Sequence, residues 1–283
     1  METPKRPEPA PVPALRSRFW ADLASPDFAS LDAERTVAVL PVAAVEQHGP
    51  HLPLDVDRAI VDGIIQATLP LLPQSLPALF LPTQAVGKSV EHERFRGTLS
   101  LRTETLFKLW MDIGASVARS GVRKLILFNS HGGQVSMMDL VARDLRASCG
   151  LMVFSSSWYQ LPLGDALDKA FSAEERRFGV HAGAIETSLM LALAPQRVDM
   201  EKARNFESAA RARAAYPVLG DGQSAKLGWQ MQDYNPHGAA GDARSATAEK
   251  GQALLAAAAT GLSGLIADVS ALTMSTLSDR VEP

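Results

Sequence analysis

Twelve residues, Glu46 to Asp57, carry two histidines and three carboxylates in the run Glu-Gln-His-Gly-Pro-His-Leu-Pro-Leu-Asp-Val-Asp. Imidazole and carboxylate together form a donor set that suits zinc, manganese or iron. Glu46 and His48 stand two apart, so extended backbone turns both side chains to one face. Asp57 follows a short loop stiffened by Pro50 and Pro53. Its two oxygens would let it bridge two ions. Read alone, Asp57 is better taken as the N-cap of a helix opening near Arg58. With Glu46 and His48 upstream the ligand reading is preferred, and the two roles are compatible. Asp55 competes for the same part. His51, three residues after His48, reads as a supporting or loop-packing histidine.

Further groups lie far along the chain. His131 ends an apolar run and precedes Gly132 and Gly133. It reads equally as a metal ligand and as a turn residue ahead of a helix. A phosphate cradle at that helix N-terminus is a weaker reading, because the lysine and glycine pattern of a P-loop is missing. His181 and Glu186 are five apart, which is not one helical face. Both reach one pocket if His181 lies just before the first turn. Otherwise Glu186 is a first-turn glutamate favoured by the helix dipole. Ser89, Glu91 and His92 sit in a polar loop, either solvated or lining a substrate pocket. His237 has no expected catalytic part. Cys149 is the only cysteine, at an expected helix end, and reads as a small inert thiol.

The elements that must hold these residues follow from periodicity. Apolar runs at 36–43, 78–81, 124–129 and 151–154 predict strands. Helical spacing is predicted near 58–72, 103–120, 135–148, 165–178, 181–194 and 247–272, with a short amphipathic helix within 14–34. Residues 199–245 show no clean period. Strand and helix in alternation argue for a single-domain α/β fold with a mainly parallel β-sheet flanked by helices on both faces. Such sheets bind ligands beyond the carboxyl ends of their strands, where the loops 46–57 and 130–134 would meet.

Composition narrows the rest. The 283 residues are 46% hydrophobic and 21% charged, with a net charge of -3, as in an ordinary soluble globular chain. That balance offers no electrostatic case for nucleic acid or an anionic membrane. One cysteine cannot form an internal disulfide, which fits a reducing compartment; a cytoplasmic protein is expected. Residues 1–13 alternate proline with small and charged residues and read as a disordered arm. The domain is expected over 14–275, with a tail at 276–283. The apolar stretch from Ala253 to Leu272 carries Asp268 and many alanines, so it reads as a buried or interface helix rather than a membrane span.

Taken together, the motifs resemble the creatininase (creatinine amidohydrolase) family over roughly residues 36–270. The opening pattern is the family's Glu-Gln-His-Gly-Pro-His-Leu-Pro-Leu-x-x-Asp. The stretch from His92 to Leu101 resembles its His-x-x-Phe-Pro-Gly-Thr-Leu-Ser-Leu. Asn129 to Gln134 resembles its Asn-Gly-His-Gly-Gly-Asn, and His181 to Ser188 its His-Ala-Gly-x-x-Glu-Thr-Ser. Gly241-Asp242 and Ala246 to Gly251 look like its C-terminal signature. The resemblance implies a two-metal amidohydrolase, usually a homo-oligomer and often a hexamer. It implies Glu46, His48, Asp57 and His131 as ligands of two divalent ions (Zn, Mn or Fe), with Asp57 bridging. It also implies His181 as proton donor and acceptor, and Trp158 flanking the substrate.

The departures bear on substrate. Creatininase proper has His-x-Glu where this chain has His131-Gly132-Gly133, and Glu186 is the expected replacement ligand. Arg177 stands four residues before His181 where creatininase has tryptophan, and Arg96 stands where the family has proline. Arginine suits an anion or carboxylate rather than a flat apolar ring. The expected substrate is therefore a small-molecule amide other than creatinine, a lactam or formamide. Ser89, Glu91, His92, Trp158 and Arg177 are its expected contacts. Two other readings remain: a metal- or ligand-binding protein without turnover, and a phosphate- or nucleotide-binding domain.

Overall fold

The computed structural model describes residues 15–221 and 224–279. The arm expected at 1–13 lies outside them, as do residues 280–283 of the expected tail. Four strands form one sheet: β1 (Val37–Val42), β2 (Ala78–Phe80), β3 (Lys124–Asn129) and β4 (Met152–Ser157). All pair in parallel, in the order β2-β1-β3-β4. Between them run α1 (Val56–Thr68), α2 (Thr103–Arg119) and α3 (Val135–Cys149). After the sheet come α4 (Ala166–Ala170), α5 (Ala173–Phe178), α6 (Ala184–Leu193), β5 (Asn205–Phe206), α7 (Ala210–Arg213), β6 (Gly241–Asp242) and α8 (Ala248–Ala271).

The central strands are buried throughout because both faces are covered. Alternation divides their side chains. Val37, Val39, Ile126 and Phe128 join a core with residues of α1, α6 and α8. Ala38, Leu40, Val42, Leu125 and Leu127 join a second core with Leu106, Trp110, Met138, Val141 and Leu145 of α2 and α3. Two covered faces on both central strands explain their unbroken apolar runs. From β1 the chain steps outward to β2, then returns past β1 to β3. The reversal leaves a crevice between the carboxyl ends of β1 and β3, where Val42 pairs with Asn129.

Three expected helices differ from what forms. Residues 165–178 break into α4 and α5, because Ser172 leaves the helix and caps α5 by accepting from the Glu175 amide at 3.1 Å. The helix expected from His181 starts at Ala184, because Ala182 takes φ +52° and interrupts it. Within the helix expected in 14–34, the described residues 15–34 form two 3-10 turns, Trp20–Asp22 and Ser25–Ser30, instead of an amphipathic helix. By contrast α8 runs almost as expected, with Thr247 as its N-cap. Long and apolar enough to cross a membrane, it instead packs Leu254, Ala258, Leu262, Ile266 and Val269 into the core against α1 and α6. Gly251 allows close approach there, since a Cβ would lie 1.9 Å from the Ser188 carbonyl oxygen of α6.

Candidate metal centre

Each ligand-type side chain is delivered by a strand end or a helix start. The loop after β1 is fixed by Glu46 N–H donating to Leu54 C=O at 2.8 Å and by the pairing of Val45 with Leu99. It buries Glu46 and His48. Asp57 falls within the first turn of α1 rather than at its N-cap, which is Asp55. Asp55 itself turns outward to Arg58 and Arg197, so its competing claim lapses. His131 follows β3 directly. Its backbone is clamped by Asn129, whose Oδ1 accepts the His131 N–H at 2.9 Å and whose Nδ2 donates to the His131 C=O at 2.6 Å. His181 lies ahead of α6, paired with Ala240. Glu175 holds that corner together, accepting from the Ala184 amide at 2.6 Å and the Asp242 amide at 2.8 Å. Glu186, in the first turn of α6, accepts from the Ala182 amide at 2.5 Å.

These groups converge around Asp57, which offers one oxygen to each side. Asp57 Oδ2 is 3.5 Å from His131 Nδ1, which is also 3.2 Å from Glu46 Oε2. Asp57 Oδ1 is 3.7 Å from His48 Nε2, which is 3.9 Å from Glu186 Oε2. The imidazoles are oriented by their second nitrogens. His48 Nδ1–H donates to the Glu46 carbonyl at 3.0 Å, and His131 Nε2–H to the Lys88 carbonyl at 3.0 Å. Each therefore turns its other ring nitrogen towards the carboxylates, a nitrogen that offers a lone pair once its proton is lost. Buried and without a hydrogen-bond partner are Glu46 Oε2, His48 Nε2, Asp57 Oδ2 and Glu91 Oε1. Burying an unsatisfied polar atom costs about 1–3 kcal/mol, so four at one place call for a common partner. A divalent cation satisfies such a set, and these oxygens and nitrogens have the chemistry to hold one.

The electrostatics are those of a crowded, buried cluster. Burial opposes ionisation of Glu46, but its charge attraction to His131, and the nearby His92 and His181, hold its carboxyl well below the ordinary range. Asp57 is pushed up to about 6 by burial and by Glu46 beside it. Burial works against the charged form of His48, and the carboxylates of Asp57 and Glu186 beside it override that, raising its pKa to about 9. His131 is likewise raised well above its ordinary value: burial opposes, and Glu46, Glu91 and Asp57 prevail. His92 is lowered to about 2 and His181 is lowered, both chiefly by burial and then by neighbouring histidines.

A cavity of about 410 Å³ opens onto Glu46, Asp57, His131, His181 and Glu186. Of the expected substrate contacts, Glu91, His92 and Trp158 line it. Ser89 does not: it is fully buried behind His131, its hydroxyl 3.4 Å from Nε2. Arg177 does not either. Successive residues of α5 point about 100° apart, which leaves Arg177 on the surface donating to the Gly220 carbonyl while Arg176 faces the cavity. Tyr159 and Trp229 complete the aromatic wall and carried no signal in the sequence. Nor did the closeness of Glu91 and Gly133. A Cβ on Gly133 would lie 1.7 Å from Glu91 Oε1 and 2.6 Å from His131 Nε2, so glycine there is what admits the Glu91 carboxylate beside His131.

Known proteins share this architecture. The Creatininase family, described as creatinine amidohydrolase, matches residues 21–266. The mycofactocin precursor peptide peptidase of Mycobacterium tuberculosis is 34% identical over 244 residues, which span 83% of this chain and 86% of that one. The creatinine amidohydrolase of Pseudomonas putida is 31% identical over 202 residues, 66% of this chain and 76% of that one. Among solved structures, one titled "Creatininase Mn" superposes with a TM-score of 0.72 at 26% identity, covering 89% of this chain and 98% of that one. A creatininase variant titled as a Zn-Zn type gives 0.70 at 26% identity, covering 90% and 98%. The chain therefore belongs to the creatininase family, as a hydrolase of carbon–nitrogen bonds that binds divalent metal.

Proposed function

We propose that this protein hydrolyses the C–N bond of a small amide, a lactam, a formamide or a short peptide, at a centre of two divalent ions. The observation that carries this reading is Asp57, with one oxygen towards His131 and Glu46 and the other towards His48 and Glu186. Glu46, Asp57 and His131 would hold one ion, and His48, Asp57 and Glu186 the other. Zinc, manganese or iron fits the nitrogen and oxygen donors. When bound, such ions supply Lewis acidity that lowers the pKa of water and polarises a carbonyl.

The chain's own groups do the rest. His181 Nε2–H is fixed on the Gln47 carbonyl at 2.7 Å, which leaves Nδ1 as the basic nitrogen, 3.7 Å from Glu46 Oε1. With its pKa lowered, His181 is neutral at pH 7 and takes a proton from the attacking water. It returns that proton to the leaving nitrogen. Trp158, Tyr159 and Trp229 give the substrate apolar walls and exclude water around the reacting carbonyl. The peptidase name of the M. tuberculosis relative favours adding peptides to the substrates tried.

Glu46→Gln and His131→Ala are expected to lose bound metal and amidase activity while circular dichroism stays native. Full metal content in both variants, measured by elemental analysis, sinks the assignment. A panel of lactams, formamides, cyclic ureas and dipeptides addresses turnover, and a metal-loaded protein inert on all of them points to a binding protein instead.

A further inference from the structure

Gln47 faces two histidines of the cavity: its backbone carbonyl makes the short contact to His181, and its side-chain amide nitrogen the short contact to His92, standing a looser 3.5 Å from His181 Nε2. Its backbone carbonyl can only accept, and it lies 2.7 Å from His181 Nε2. His181 therefore carries its hydrogen on Nε2. Its side-chain oxygen accepts the Gly49 N–H at 3.0 Å. That contact turns the amide nitrogen to His92 Nδ1, at 2.7 Å. An amide NH2 only donates, so His92 Nδ1 accepts, and the neutral ring must carry its hydrogen on Nε2. Gly238, at φ +79°, leaves the room for this: a Cβ there would lie 2.1 Å from Gln47 Oε1.

The two rings thus present opposite faces to one site. His181 offers a lone pair, whereas His92 offers an N–H. His92 is buried in the cavity wall with its ring centroid 4.3 Å from that of His181. Glu46 Oε1 faces His92 Nε2 at 3.5 Å, beyond the usual N–H···O length of about 2.7–3.2 Å. The hydrogen is available to something that enters the cavity. A histidine whose other nitrogen is occupied has no free lone pair with which to ligate.

We infer that His92 donates its Nε2–H to the carbonyl oxygen of the amide under attack, and that Gln47 is the positioning residue that sets this tautomer. The inference rests on the amide-hydrolase reading. No proton changes hands in this step. As the nucleophile bonds to the carbonyl carbon, the C=O π pair moves onto oxygen, and the hydrogen bond to that oxygen strengthens. His181 keeps the proton transfers.

The full-length, metal-loaded protein tests this. His92→Phe keeps an aromatic ring but removes the donor, and His92→Gln restores an N–H near the same place. His92→Phe is expected to lower kcat about 10²–10³-fold, with KM and metal content nearly unchanged, and His92→Gln to recover part of the loss. Gln47→Met removes the donor to Nδ1 without adding charge. It should lower kcat and give His92 a mixed tautomer in 15N spectra of the zinc-loaded protein, where wild type shows hydrogen on Nε2 alone. The inference is overturned by a His92→Phe kcat within about threefold of wild type, by loss of metal from that variant, or by a wild-type spectrum with hydrogen on Nδ1. Absence of turnover on every amide overturns the amide-hydrolase reading and the role of His92 together, and the spectrum still decides whether Gln47 controls the tautomer.

Discussion

Burial lowers the pKa of an isolated histidine, yet His48 is raised to about 9 and His131 well above its ordinary value. Each of these two lies between carboxylates, whereas for His92 and His181 burial and a neighbouring histidine outweigh the carboxylates nearby. In metal-free protein, protons on His48 and His131 supply the positive charge that Glu46, Asp57 and Glu186 require. For a raised pKa, the stabilisation is complete below the ordinary value of 6.5 and is lost as pH rises through about 9. Metal-free protein should therefore lose stability between about pH 7 and 9, as followed by urea unfolding. Metal needs the neutral rings, so its uptake should release protons and tighten over the same window. Calorimetric titration with zinc at pH 7 in two buffers of different ionisation enthalpy reads the release directly, and identical heats in both would count against it. At this scale the sequence was half legible. Glu46, His48 and Asp57 are neighbours in the chain, and their spacing shows. The link from Gln47 to His92, and the place of Glu91 beside His131, arise where separate loops touch, and no local pattern encodes that.

Secondary structure was legible where burial imposes a period and illegible where single contacts override it. The residues of β3 stand where the apolar run places them, because two covered faces leave no alternative to Leu, Ile and Phe. The start of α6 is displaced three residues from His181 because Ala182 sits at φ +52° and Glu175, from another helix, accepts the first amide of the new one. That displacement is what frees His181 to face the cavity. The seam between α6 and α8 follows from Gly251, which brings backbone to backbone. Gly251→Ala has nowhere to put its methyl group, since a carbonyl oxygen cannot swing aside as a side-chain tip can. It should destabilise the protein by about 1–3 kcal/mol, seen as a lower urea midpoint with unchanged slope. An unchanged midpoint would show that the helices part without cost. At the far end of α8, Lys124 of β3 reaches across to donate to the Ser270 carbonyl at 2.9 Å and to that of Leu272, tying the last turn of the helix to the foot of the sheet.

The molecule as a whole was the most legible level, because strand–helix alternation leaves few topologies and the right one puts loops 46–57 and 130–134 at one crevice. The proposed metal ligands come from the 46–57 stretch, the end of β3 and the start of α6, so the two ions together would crosslink three segments that are remote in sequence. Binding to the folded state alone stabilises by about 2.7 kcal/mol at a hundredfold excess over Kd. For a chain of this size that is roughly 5–11 °C in Tm. Scanning calorimetry with and without chelator should show it, and a Tm indifferent to chelation would mean the crevice holds no ion. One feature of that crevice reaches beyond this chain. Positions 91 and 133 sit on different loops and contend for a single parcel of space. An acid can be delivered beside His131 from one loop or from the other, but not from both. A lineage that moves it must therefore pass through an intermediate that is either overcrowded or one acid short. The two positions are expected to be inherited as a pair, and their combination records descent in a way that neither residue does alone.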